Sequence, residues 1–192
     1  MIILTDCDGV LLSWQQSFEW WMKRKGYKQK EISYYVSKQY GIPKEKAIEL
    51  TQQFCESAEI GFLPPLRDAI KYVRKLHEEN GAVFHCITSI GTEPCAIKLR
   101  EQNLTRLFGE GVFERIQCLP CAANKKEALE RYRDSDFVWV EDKLENANLG
   151  AKMGLRSFLI DHPYNAGPFA AGVVHEGVTR VNRWEEIYSH IA

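Results

Sequence analysis

The chain has 192 residues, room for one α/β domain with a modest insertion but not for two large domains. Hydrophobic residues make up 45% and charged residues 27%, a balance that excludes a disordered or collagen-like chain. A formal net charge of -1 supplies no field for a nucleic acid polymer or an acidic membrane, so a phosphate-bearing ligand must be held by local groups.

Ile2 to Thr5 is a short β-branched run that empties into Asp6-Cys7-Asp8-Gly9, and it reads as a buried strand followed by a loop. Helical spacing then takes over in residues 14–25, with Trp14, Phe18, Trp21 and Met22 on one face and Gly26 as the stop. The pattern predicts further helices over 30–40, where Ile32, Tyr35, Val36 and Tyr40 share a side, and over 44–57. Gly61 to Pro65 is a breaker cluster. Pro65 suits the first turn of the next helix, whose stripe of Leu66, Ala69, Ile70, Val73 and Leu76 closes at Asn80-Gly81.

Strands are expected at 82–87, 115–119, 137–140 and 157–160, and helices at 94–103, 125–133 and from Leu144 to Ala151. Strands alternating with helices imply parallel pairing with right-handed crossovers. The expected architecture is therefore an α/β Rossmann-like three-layer sandwich around a parallel sheet. Residues 1–13 and 62–192 form the core, and 14–61 form a helical cap inserted after the first strand.

Open parallel sheets bind ligands beyond the carboxyl ends of their strands. Three expected strands end there in polar residues: Asp6 and Asp8, Thr88 and Ser89, Glu141 and Asp142. Crowded carboxylates repel unless a cation sits among them, and oxygen-only ligands favour Mg²⁺ over zinc. A carboxylate such as Asp6 is able to attack phosphorus, and Asp8 is placed to exchange the proton with the leaving group and with water. Taken alone, Thr88 and Ser89 suit a helix cap equally well.

The Asp-x-Asp-Gly loop, the strand-ending Thr88, a lysine at the helix start and Val-Glu-Asp after the fourth strand occur in order. Together they resemble the four signatures of haloacid-dehalogenase-like hydrolases. The resemblance implies an Mg²⁺-dependent phosphomonoesterase with Asp6 as covalent nucleophile and Asp8 as acid/base. It assigns Mg²⁺ to the Asp6 carboxylate, the Asp8 backbone carbonyl and Asp142. Thr88 and the Ser89 amide would hold the phosphoryl oxygens, and Gly9 would let the loop wrap the phosphate. Lys125 is preferred over Lys126 as the lysine that orients Asp6. Glu141 and Asn146 stand where relatives carry other residues, so the metal set is expected to be lean.

Within that superfamily, Asp6 to Leu11, Ile87 to Ile90 and Ile160 to Asn165 resemble the 5′-nucleotidase and 5′(3′)-deoxyribonucleotidase branch. The implied substrate is a small phosphate monoester such as a (deoxy)nucleoside monophosphate, with Trp20 and Tyr34 of the cap as residues to stack on a base. Alternatives are a sugar-phosphate or phosphoglycolate phosphatase, a phosphomutase, or an idle regulatory domain on the same fold. Dehalogenases lack the second acid, so Asp8 argues against that chemistry.

Cys118 and Cys121 have the spacing of half a zinc site. No second suitable pair exists, and two unrelated thiols are expected. His162, past the fifth strand, is the histidine nearest the expected rim. The N-terminus does not read as a signal peptide, so a cytoplasmic protein with reduced cysteines is expected.

Overall fold

The computed structural model describes residues 1–166 and 172–192. β1 (Ile2–Thr5) lies inside the sheet because neither face of it is polar: Ile3 and Leu4 are both wholly buried. It pairs in parallel with β2 (Val83–Thr88) on one side and β4 (Val138–Glu141) on the other. β3 (Phe113–Cys118), β5 (Arg156–Ile160) and β6 (Val178–Val181) complete an all-parallel order β3-β2-β1-β4-β5-β6.

Side chains alternate across this sheet, and two apolar layers result. Ile3, Phe84, Val140 and Phe158 pack with residues of α4 (Ala69–Asn80), α5 (Pro94–Phe108) and α8 (Trp184–Ile191) on one face. On the other, Leu4, Ile87 and Trp139 meet Leu129 of α6 (Lys126–Glu130) and Met153, just past α7 (Leu144–Lys152). The result is the three-layer α/β sandwich expected from the alternation of elements. Chain order reverses between β1 and β4, so the loops after these strands border the switch-point crevice. Asp6 N–H extends the β1–β4 pairing by donating to Val140 O at 2.9 Å.

Between β1 and the crossover helix α4, the chain forms α1 (Trp14–Arg24), α2 (Val36–Tyr40), α3 (Lys44–Cys55) and a 3-10 turn at Ala58–Phe62. This insert has its own aromatic centre. Trp14 stacks on Phe18 at 4.5 Å between ring centroids, and Phe18 meets Phe54 edge-on at 5.2 Å.

Some local expectations differ from what forms. The helix expected over 30–40 exists only as Val36–Tyr40. Before it, Tyr35 N–H donates to Ser33 Oγ at 3.1 Å and Lys30 N–H donates to Gln39 O at 2.8 Å, a looped arrangement that a continuous helix would forbid. Ile32 and Tyr35, counted on its apolar side, are 40% and 53% exposed. The helix expected from Pro65 starts at Ala69, because Leu66 N–H is engaged by Leu11 O at 2.8 Å and Arg67 has a φ of 42°. A strand not anticipated at all, β6, adds a sixth member through buried Val178 and Val181. Among the described residues, no helix is long and apolar enough to cross a membrane.

Candidate active site

The loop after β1 is a tight turn in which the Cys7 carbonyl accepts from Leu11 N–H at 2.8 Å and Leu12 N–H at 2.9 Å. Gly9 is needed inside it for two reasons. Its φ is +76°, and a Cβ there would run into Asp142 Oδ2 and the Tyr164 hydroxyl. The loop therefore lies directly against the segment that follows β4.

Asp6 is 8% exposed. One oxygen, Oδ1, accepts from Cys7 N–H at 2.7 Å, and Oδ2 faces Lys125 Nζ at 2.7 Å. Burial raises its pKa to about 7, and neighbouring Glu141 and Asp8 add to the rise while Lys125 opposes it. Lys125 is itself buried and also donates to Glu141 Oε1 at 2.9 Å. Lys126 points outward and is exposed, with its backbone N–H on Asn124 Oδ1 at 2.7 Å. Adjacent helical positions diverge by about 100°, so only one lysine reaches the carboxylates.

Asp6, Glu141 and Asp142 each offer an oxygen within 4.8 Å of the others, the one such acidic or thiol cluster among the described residues. Glu141, however, has its oxygens engaged. Oε1 accepts from Lys125 and from Asn146 Nδ2 at 2.6 Å, and Oε2 accepts from the backbone N–H groups of Asp142 at 2.7 Å and Lys143 at 3.0 Å. Burial raises its pKa, but Lys125 and the Lys143 N–H outweigh that and hold it below the ordinary carboxylate range, so it braces the loop and fixes Lys125. Asn146 serves that brace.

Asp142 is in the opposite situation. Burial, then Glu141 and Asp6, push its carboxyl well above the ordinary range, and its Oδ2 accepts from the Tyr164 hydroxyl. Two buried carboxyls that resist ionisation side by side, both hard oxygen donors, fit Mg²⁺. A cation between them would remove the repulsion that burial leaves.

Thr88 is wholly buried and its hydroxyl has no hydrogen-bond partner. Orphaned buried hydroxyls are rare, and this one sits at the end of β2, which pairs with β1 up to Thr5 and Cys86. Ser89 Oγ is occupied by Ala123 O at 3.3 Å, which leaves any contact to a ligand to its backbone.

Arg100 escaped the sequence reading. Projecting from α5 with no exposed surface, it places Nη2 2.8 Å from Asp8 Oδ1 and 2.9 Å from Oδ2, and Nη1 3.0 Å from Cys7 Sγ. The signal was present: Arg100 falls on the stripe of Ala96, Asn103 and Leu104, where a charge has no reason to be unless paired. For Asp8, burial raises the carboxyl pKa and Arg100 opposes the rise.

The segment after β5 also acts on this rim. His162 Nε2 donates to Gly9 O at 2.7 Å, and its ring stacks on Tyr164 at 4.9 Å. Asn165 Nδ2 donates to Asp142 O at 2.6 Å. Burial holds the imidazole of His162 down to about 4, so it stays neutral. Its sequence position near the rim pointed to this, but not the carbonyl it would meet.

A cleft of about 240 Å³ opens between this rim and the insert, lined by Tyr34, Tyr35, Lys38, Asp142, Lys143 and Tyr164 among others. Tyr34 meets Tyr164 edge-on at 5.7 Å, and Lys143 Nζ lies 5.2 Å from the centre of the Tyr34 ring. Trp20 does not line this cleft. It is 54% exposed on the outer side of α1, whose inner side is spent on Phe18, Trp21 and Met22. Of the two cap aromatics expected to stack on a base, Tyr34 lines the cleft and Trp20 stands outside it. Cys118 and Cys121 are half-buried free thiols, and Cys121 faces the buried Cys55 of α3.

Solved structures that share this fold include haloacid-dehalogenase-like hydrolases. A haloacid dehalogenase-like family hydrolase from Streptococcus pneumoniae superposes with a TM-score of 0.63 at 12% identity, covering 100% of this chain and 98% of that one. D,D-heptose 1,7-bisphosphate phosphatase from B. bronchiseptica, complexed with magnesium and phosphate, gives 0.58 at 14% identity, over 99% and 97%. L-2-haloacid dehalogenase from Xanthobacter autotrophicus, with chloropropionic acid covalently bound, gives 0.58 at 8% identity, over 99% and 97%. At these identities the likeness establishes the fold alone. In sequence, the chain is 28% identical over 141 residues to an uncharacterized 32.4 kDa protein in the Gp30-rIII intergenic region of Enterobacteria phage T4, covering 68% of this chain. The chain spans about half the length of that relative, 50%. No family model matches the sequence.

Proposed function

We propose that this protein is an Mg²⁺-dependent phosphomonoesterase that forms a phosphoenzyme on Asp6. One observation carries the reading. A carboxylate held by Lys125, a second buried carboxyl at Asp142 and the unpartnered Thr88 hydroxyl converge on one strand-end rim. A phosphoryl group is the ligand that needs all three.

Asp6, Asp142 and the Asp8 backbone carbonyl would hold Mg²⁺, which when bound offsets the charge of a phosphate facing a carboxylate nucleophile. Asp6 Oδ1 or Oδ2 attacks phosphorus as the bond to the leaving oxygen breaks. Asp8 gives that oxygen a proton, then takes one from the water that hydrolyses the aspartyl-phosphate. Lys125 orients Asp6 and opposes its protonation. Thr88 and the Ser89 amide donate to phosphoryl oxygens, and Gly9 keeps the loop clear of Asp142. The retained Asp8 favours this chemistry over dehalogenation.

The helical insert, residues 14–61, acts in this reading as a lid over the rim. Its contribution to the cleft is Tyr34, Tyr35 and Lys38. A face-accessible phenol beside a lysine favours a small planar leaving group, and a (deoxy)nucleoside monophosphate is the substrate class proposed. Burial and the nearby carboxylates of Asp142, Glu141 and Asp6 push the Tyr34 phenol well above its ordinary range, so it remains a donor.

The test measures phosphate release from p-nitrophenyl phosphate with Mg²⁺ and with EDTA, then from deoxynucleoside monophosphates, sugar phosphates and phosphoglycolate. Mg²⁺-dependent turnover lost in Asp6→Asn is expected, with Tyr34→Ala lowering kcat/KM for nucleotides more than for sugar phosphates. No turnover with any phosphate monoester would end the phosphatase reading. A preference for sugar phosphates untouched by Tyr34→Ala would end the nucleotide reading only.

A further inference from the structure

The guanidinium of Arg100 is an unusual object: a wholly buried cation whose only carboxylate partner among the described residues is Asp8. Taking such a charge out of water is costly, and Cys7 Sγ and one side of Asp8 return only part of that. Arg100 Nε has no partner at all. A packing role alone would be filled better by an apolar side chain of similar volume. What the ion pair supplies is geometry. Nη2 lies at nearly equal distance from both Asp8 oxygens, 2.8 and 2.9 Å, so the carboxylate is centred on one nitrogen and cannot rotate away without leaving a buried charge unpaired.

Asp8 otherwise sits on a short loop with its side chain 21% exposed, and among the described residues Arg100 is the one side-chain partner of its carboxylate. α5 begins a few residues beyond Thr88, so Arg100 ties the acid of the first loop to the element that follows the second strand end.

We infer that Arg100 is a positioning residue: it holds the Asp8 carboxyl in the one orientation from which it exchanges a proton with the leaving oxygen. The inference rests on the acid/base reading of Asp8 given above. Arg100 has no exposed surface with which to meet a substrate, acts through Asp8 and keeps its protons throughout. As the bond from phosphorus to the leaving oxygen breaks, the proton passes from Asp8 to that oxygen, and later a proton from the attacking water returns to Asp8. The guanidinium holds the carboxylate in both stages through one nitrogen, and the further lone pairs of the two oxygens remain for the proton.

Leaving groups that need no proton give the readout. 2,4-Dinitrophenolate departs unaided, whereas the alkoxide of an alkyl phosphate requires an acid. Release of the leaving group in the first turnover is the readout for every variant, because the later hydrolysis of the aspartyl-phosphate uses Asp8 whatever the leaving group. In the full-length protein with saturating Mg²⁺, Arg100→Met should slow that release from an alkyl phosphate by about 10²-fold, the low end of general acid/base contributions. It should slow release of 2,4-dinitrophenolate by less than about 3-fold, because the attack by Asp6 is unchanged. Arg100→Lys should recover part of the alkyl rate by restoring the charge, and it serves as the test variant if the methionine protein does not fold. In an Asp8→Asn background, Arg100→Met should add no further loss on either substrate.

Equal losses on both substrates, or an additive loss in the double variant, would reduce Arg100 to a structural residue and overturn the inference. Asp8→Asn alone separates this from the reading beneath it. If that variant slows both substrates equally, the acid/base assignment falls, and the inference falls with it. If it is selective for the alkyl substrate while Arg100→Met is not, only the inference falls.

Discussion

Replacing Lys125 with methionine keeps the aliphatic stem and removes one charge from the centre of the site. Its ammonium lies 2.7 Å from Asp6 Oδ2 and 2.9 Å from Glu141 Oε1, and the residue is 2% exposed. Without it two buried carboxylates face each other with no cation, and breaking a buried pair in this way costs about 3–5 kcal/mol. The same loss acts on chemistry. Asp6 already has a pKa of about 7, and Lys125 is the leading influence holding it down. Removing Lys125 moves the pKa further up, so less of the nucleophile is ionised at neutral pH. Loss of one buried donor at a site of developing charge slows turnover by about 10²–10³-fold. Lys126→Met is the internal control, because an exposed surface substitution stays within about 0.5 kcal/mol. Urea denaturation in EDTA measures the stability term without a metal standing in for the lost charge, and steady-state hydrolysis with Mg²⁺ measures the rate. Lys125→Met with wild-type stability and turnover, or damage confined to Lys126→Met, would refute the reasoning.

Four further outcomes are expected. Asp6→Asn should abolish turnover while the fold survives, since an amide is a poor nucleophile; near-normal activity in steady-state assays would remove Asp6 from its role. Mg²⁺ at 100 times its dissociation constant should stabilise the protein by about 2.7 kcal/mol in thermal melts, an effect lost in Asp142→Asn. Zinc removal or Cys118→Ser should leave activity in place, whereas stoichiometric zinc lost in Cys118→Ser would show a thiolate site instead. His162 sets an acid limb: its folded pKa, about 4, lies below the ordinary 6.5, so the native state binds fewer protons between those values. Its contribution is complete above pH 6.5 and is lost as pH falls toward 4, on the order of 3 kcal/mol. His162→Gln keeps a donor for Gly9 O without titrating, and an unchanged acid limb in that variant would sink the argument.

The sheet was legible because buried parallel strands are written as unbroken apolar runs, and those of Ile2–Thr5 and Val138–Glu141 end abruptly in acids. That is enough to place Asp6, Asp8, Glu141 and Asp142 on one rim from order alone, and the lysine that follows β3 with them. β6 was not legible, because four residues with only Val178 and Val181 buried carry too little pattern and pairing with β5 decides their state. The helix over 30–40 failed for the converse reason: its spacing was apolar, but only Val36 and Tyr40 of the face it marked are covered, while Ile32 and Tyr35 stay exposed. Sequence also offered Lys125 and Lys126 as near equals, and only the placement of α6 against β4 turned the first inward. What the tertiary structure alone decided is which partner each carboxyl has. Glu141 and Asp142 are neighbours of similar chemistry, yet four donors surround one and a single phenol meets the other. Arg100 finds Asp8 across 92 residues of chain. Local sequence fixes which strand end a charge stands on, but its ionisation depends on burial and on groups delivered from other elements, and those distances exist only once the sheet has closed its order.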